Sequence, residues 1–121
     1  MFRLGIIEES LKDIKILDTI KQYFFSQRIE NIPEDEYPVW HTNEYHVPDE
    51  KLEGLLESLK NEVKETWYVH AFNDKKLFVV LKGRYFILPL NRDDSWNDMI
   101  DYGVKEAKVE RHFLENIPLH V

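Results

Sequence analysis

The chain of 121 residues carries 23 acidic residues against 16 basic ones, a formal charge of −7, and is 43% hydrophobic and 32% charged with no cysteine. That size and balance predict one globular domain over residues 1–121 and exclude an unfolded chain. They also exclude disulfides, thiol catalysis, thiolate metal sites and the basic face through which proteins usually hold nucleic acid.

The chain opens with an apolar strand over residues 2–8. Leu4 to Ile7 is interrupted by Glu8 and Glu9, and later apolar runs, 77–81 and 85–90, are far below membrane-spanning length. No membrane partner and a cytoplasmic location are expected. Ser10 and Asp13 have the spacing of a capping box, which predicts a short helix over about 11–20 with Leu11, Ile14 and Leu17 on one side. Tyr23-Phe24-Phe25 either prolongs that helix or opens a strand to about Ile29; aromatic enrichment favours the strand. Residues 33–38 form an acidic loop with proline at both ends, and residues 39–47 a strand closed by Pro48. If both strands form, they make a hairpin across that loop.

Leu52, Leu55, Leu56, Leu59 and Val63 then mark one face of a helix that starts at Pro48-Asp49 and is charged elsewhere. Strands follow at 67–72, 76–81 and 84–88, separated by Asn73-Asp74-Lys75 and Lys82-Gly83, residues suited to tight hairpin turns. Asp94 or Ser95 caps a last helix whose apolar side is Trp96, Met99, Ile100, Val104 and Ala107. Gly103 within it points to a close approach or a helix break. Residues 112–117 make a final turn or docked tail.

The order β-α-β-β-α-β-β-β-α predicts an α+β fold: a mostly meander antiparallel sheet of five or six strands with two amphipathic helices packed on one face. Two-residue turns at Asp74-Lys75 and Lys82-Gly83 place Tyr68, His70, Phe72, Leu77, Val79, Leu81, Phe86 and Leu88 on one face. Trp67, Val69, Ala71, Phe78, Val80, Tyr85 and Ile87 then lie on the other. Both faces are apolar, so the second needs a cover. Three remain open: other segments of the chain, a second copy in a homodimer, or a ligand.

Histidine is the residue type with most chemical scope. His41, His46 and His70 lie on strands among aromatics. Glu44 shares a face with His46, whereas His41 points the other way with Asn43 and Tyr45. A metal site would need His46, Glu44 and His70 to converge from neighbouring strands; the bland alternative is half-buried histidines with backbone or carboxylate partners. The four glycines are isolated, so no phosphate-binding loop or dinucleotide fingerprint exists, and no G-x-S-x-G elbow occurs. No cofactor and no resident metal are expected.

The succession Trp40-His41, Val47-Pro48, the leucine-faced helix, Trp67-Tyr68-x-His70 and Val79-Val80-x-x-Gly83 resembles a family of small uncharacterised prokaryotic proteins over residues 39–88. The resemblance implies the fold and no assigned activity. The residues themselves point to a non-catalytic binding or regulatory domain that self-associates through an apolar sheet face. Two alternatives stay open. One is a metal-binding protein or enzyme using His41, His46 and His70 with Glu44. The other is a small-ligand pocket lined by Trp40, Tyr68, Phe78 and Tyr85.

Overall fold

Alternation in Phe2–Ile7 (β1) puts Phe2, Leu4 and Ile6 on one side and Arg3, Gly5 and Ile7 on the other. The computed structural model describes residues 1–121. The other strands are β2 (Phe24–Asn31), β3 (Val39–Val47), β4 (Val69–Phe72), β5 (Lys76–Leu81) and β6 (Arg84–Pro89). All pair antiparallel in one six-stranded sheet of order β2-β3-β1-β4-β5-β6. The α+β class is therefore as expected, and the open segment after Tyr23 is a strand, hairpin-paired with β3. The meander holds for β4 to β6, with both two-residue turns in place: Asn73 pairs with Lys76 through its backbone N–H, and Leu81 faces Arg84. β1 is inserted between β3 and β4, which gives the sheet a central strand from the start of the chain.

The register also sorts the side chains as expected. Face A carries Leu4, Tyr45, Val69, Phe78 and Val80; face B carries Phe72, Leu77, Val79, Leu81, Phe86 and Leu88. The two helices do not share a face. α1 (Asp49–Leu59) lays Leu52, Leu56 and Leu59 on face A, each essentially fully buried, a contribution of about 2 kcal/mol apiece. α2 (Asn97–Lys105) and α3 (Arg111–Glu115) close face B with Trp96, Met99, Ile100 and Leu114. The reason is the apolar character of both parities in the meander: either face left bare would expose a large hydrophobic patch, so one helical layer serves each. The apolar surface expected to draw in a second copy is thus covered within the chain.

Two helix starts also differ from expectation. The Ser10–Asp13 box is not made, because the buried Ser10 hydroxyl donates to the carbonyl of Ile7 at 2.6 Å. Leu11 stays extended in a bridge to Val63, so the helical segment is a 3₁₀ stretch over Ile14–Tyr23, capped by the Asp13 carboxylate on the Lys15 N–H at 2.9 Å. Before α2, a short 3₁₀ turn at Asp94–Trp96 is capped by Asp93, which accepts from the Ser95 N–H at 2.8 Å. Val104 is exposed rather than part of the core. Gly103 is needed because a Cβ there would collide with Leu114 of α3. No helix is long and apolar enough to cross a membrane.

Candidate functional site: a cleft beside the C-terminal segment

Face B is apolar over β4, β5 and β6 but more polar over β1, β3 and β2, which place Arg3, Thr42, Glu44, His46, Arg28 and Glu30 there, Thr42 and Glu44 being buried. The layer of α2 and α3 covers the apolar half, since only there does burial repay the ordering of the helices. Past α3 the chain turns back and sets Val121 against β1 at Gly5. A Cβ at Gly5 would lie 3.0 Å from His70 Cε1 and 3.2 Å from both Val121 methyls, so glycine is what admits the tail.

The step from the polar half-sheet to this tail leaves a cleft of about 460 Å³. Its sheet wall includes Gly5, Ile7 and Thr42, and its opposite wall Phe113, Pro118 and Val121. Its lining is aromatic: Trp40 and Trp67 meet edge-on at 5.1 Å, Tyr37 meets Trp67 at 5.9 Å, and Tyr68 adds a fourth ring. The Trp40 indole N–H donates to Asp35 at 3.3 Å, and the Tyr37 backbone N–H to the same oxygen at 2.9 Å. These bonds tie the proline-bounded loop to the cleft. Burial pushes the Tyr68 phenol up to about 12, so it stays a neutral hydroxyl.

Only two non-glycine residues have positive φ: Thr66 at 74° and Lys108 at 59°. Both line the cleft, and they are tied together, because the Thr66 N–H donates to the carbonyl of Ala107 at 2.8 Å. For a β-branched residue this conformation costs on the order of 1–3 kcal/mol, and such strain concentrates where a surface is shaped for use.

The three strand histidines are not brought together. His41 lies on face A, its Nδ1 2.7 Å from Glu9, whose other carboxylate oxygen accepts the His41 backbone N–H at 2.7 Å. The Glu9 hydrogen bond raises the His41 pKa. Burial alone would raise the Glu9 carboxyl, but its bonds from the His41 backbone and ring hold it below the ordinary range. His46 and Glu44 do share face B, with Nε2 2.6 Å from the carboxylate and Phe25 stacked on the ring at 4.1 Å. Arg3 donates to both Glu44 oxygens, at 3.0 Å to the one that meets His46 and at 3.2 Å to the other. Burial opposes ionisation of Glu44, yet Arg3 and His46 together hold its pKa low.

His70 and Glu44 both flank Gly5, one from each side, but they face different partners. His70 is buried, with Nε2 3.0 Å from the carbonyl oxygen of His120, and desolvation drives its pKa down to about 4. At neutral pH it is an uncharged ring donating to the tail. No three His, Asp or Glu side chains are grouped to hold a metal ion.

Of the residues expected to line a ligand pocket, Trp40 and Tyr68 lie in the cleft. Phe78 and Tyr85 do not: both belong to face A, where Phe78 packs edge-on against Phe2 and the Tyr85 hydroxyl donates to Glu53 at 3.1 Å. Phe78 borders instead a separate hollow of about 380 Å³ beside Met1 and the Asn73–Lys76 turn. The sequence predicts a docked tail over residues 112–117, but neither the positive φ of Thr66 and Lys108 nor the seat of Val121 against Gly5. An isolated glycine inside a strand, Gly5, was the one available sign that another segment approaches there. Comparison of the chain with family models, curated proteins and solved structures gives no match.

Proposed function

We propose that the protein is a non-catalytic binding domain that holds a small organic ligand in the cleft between the polar half of face B and the C-terminal segment. The observation that carries this reading is the coincidence of the chain's two positive-φ non-glycine residues, Thr66 and Lys108, with the walls of an aromatic-lined cleft of about 460 Å³. That volume suits a small molecule, and aromatic walls with a few fixed polar groups are the usual make-up of such sites. The histidines support binding over catalysis, since His41, His46 and His70 each hold a partner of the protein's own.

Two of the three tryptophans, Trp40 and Trp67, line the cleft, while Trp96 is buried under α2. A screen of aromatic and heteroaromatic fragments, read by tryptophan fluorescence and by amide chemical shifts, tests the proposal. Binders are expected to quench Trp40 and Trp67 and to shift residues 66–70 and 118–121, with Trp40→Leu removing most of the quench. Shifts that cluster elsewhere, or a screen without binders, would reject it.

A further inference from the structure

We propose that two copies of the chain join edge to edge through β2, running antiparallel about Ile29, so that the two sheets become one. β2 pairs with β3 on one side only, and its other side is free. Every residue of β2 is exposed except Glu30, which is half-buried, and Ile29 leaves 59% of its surface in water. Edge strands are usually guarded by proline or lysine, because unpaired N–H and C=O groups recruit other strands. The opposite edge has such a guard in Pro89, and β2 contains neither residue. Its one irregularity, between Phe24 and Ser26, lies outside residues 27–31.

The occupant follows from charge. Strands that continue one pleated sheet must set side chains of the same face opposite each other, so a two-fold pairing of β2 has to be centred on a residue. Centring on Arg28 sets two arginines opposite each other; centring on Glu30 does the same with two glutamates. Centring on Ile29 sets each Arg28 opposite Glu30 of the second copy, twice over, on face B. It also sets the two Ile29 side chains opposite each other on face A, flanked by Gln27 and Asn31 pairs. Arg28 and Glu30 already pair within one chain at 3.2 Å, so the joined edges carry an alternating square of four charges. Directly opposed unlike charges stabilise such strand pairs and like charges destabilise them. This register satisfies all four charges, buries an exposed isoleucine against itself and needs only five residues from each copy.

The test uses the full chain in sedimentation velocity from micromolar to submillimolar concentration. The wild type is expected to move from the mass of one chain towards twice that mass. R28E and E30R each set like charges opposite each other in two places and are expected to weaken the dimer about tenfold or more. An equimolar mixture of the two variants is expected to recover association, because every opposed pair is then unlike; the double variant R28E/E30R is expected to recover it as well. Arg28 is exposed and Glu30 is half-buried, accepting the Thr42 hydroxyl at 2.9 Å, so far-ultraviolet circular dichroism checks that each variant is folded. A wild type that stays monomeric, or a mixture no more associated than either variant alone, overturns the proposal.

Discussion

The Nε2 of His70 lies 3.0 Å from the carbonyl oxygen of His120, fifty residues away, and this bond fastens the C-terminal segment to β4 in the lining of the cleft. Burial pulls the pKa of His70 from its ordinary 6.5 to about 4. In this range the unfolded chain binds a proton that the folded chain refuses. His70 therefore leaves stability intact above pH 6.5 and removes it as pH falls through about 4, by on the order of 3 kcal/mol in full. Urea unfolding of the wild type and His70→Gln across pH 4–7 checks this. The wild type is expected to lose stability more steeply on acidification, and the variant, which has no proton to take up, to follow a flatter course.

The same tail depends on Gly5. A Cβ there presses on His70 at 3.0 Å and on Val121 at 3.2 Å, and both are side-chain atoms that can yield only by moving the tail. Gly5→Ala is expected to cost about 1–3 kcal/mol, the usual penalty for overpacking. Hydrogen exchange should show the loss unevenly: protection falls at residues 118–121 while β5, on the far side of β4, keeps its own.

Thr66 offers the opposite sign. Its side chain is exposed, so replacing it removes little contact, while its φ of 74° is one that glycine adopts freely. Thr66→Gly is expected to raise stability by about 1 kcal/mol, the strain relieved less the extra freedom of the unfolded glycine. The urea midpoint measures it. A fall in midpoint would mean that Thr66 holds its conformation without strain, and the link between strain and the cleft would go with it.

Where periodicity carried information, the fold was legible. The spacing of Leu52, Leu56 and Leu59 marked α1, and the turn residues at Asp74-Lys75 and Lys82-Gly83 set the meander register and both of its faces. What sequence could not rank was competition between local and distant partners. Ser10 had the spacing of a cap, but Leu11 was claimed by Val63 fifty-two residues on, and the helix start moved to Asp13. Likewise the apolar stripe of α2 does not say which sheet face it meets. The candidate site was legible only in part. Trp40 and Tyr68 announce an aromatic surface by type, whereas Thr66 and Lys108 enter the cleft through backbone geometry, which leaves no compositional trace, and Val121 through a chain return marked only by the lone Gly5.

The pairing of Glu9 with His41 predicts a stability profile opposite to that of His70. The hydrogen bond to Glu9 raises the His41 pKa above its ordinary 6.5, so the stability this charge contributes is complete below pH 6.5 and is lost as pH rises through the raised value. Glu9 is held below its ordinary 4.5, so its share is complete above pH 4.5 and is lost as pH falls through the lowered value. The charge pair therefore acts most strongly between about pH 4.5 and 6.5. Glu9→Gln keeps a side-chain oxygen for the His41 backbone N–H at 2.7 Å but puts an amide nitrogen opposite Nδ1, so the charge and the acceptor of the ring bond are lost together. The difference in unfolding free energy between wild type and Glu9→Gln is expected to peak in that window and shrink on both sides. A proton NMR titration of His41 should show its pKa drop towards 6.5 in the variant, and an unchanged titration would show that a group other than Glu9 sets it.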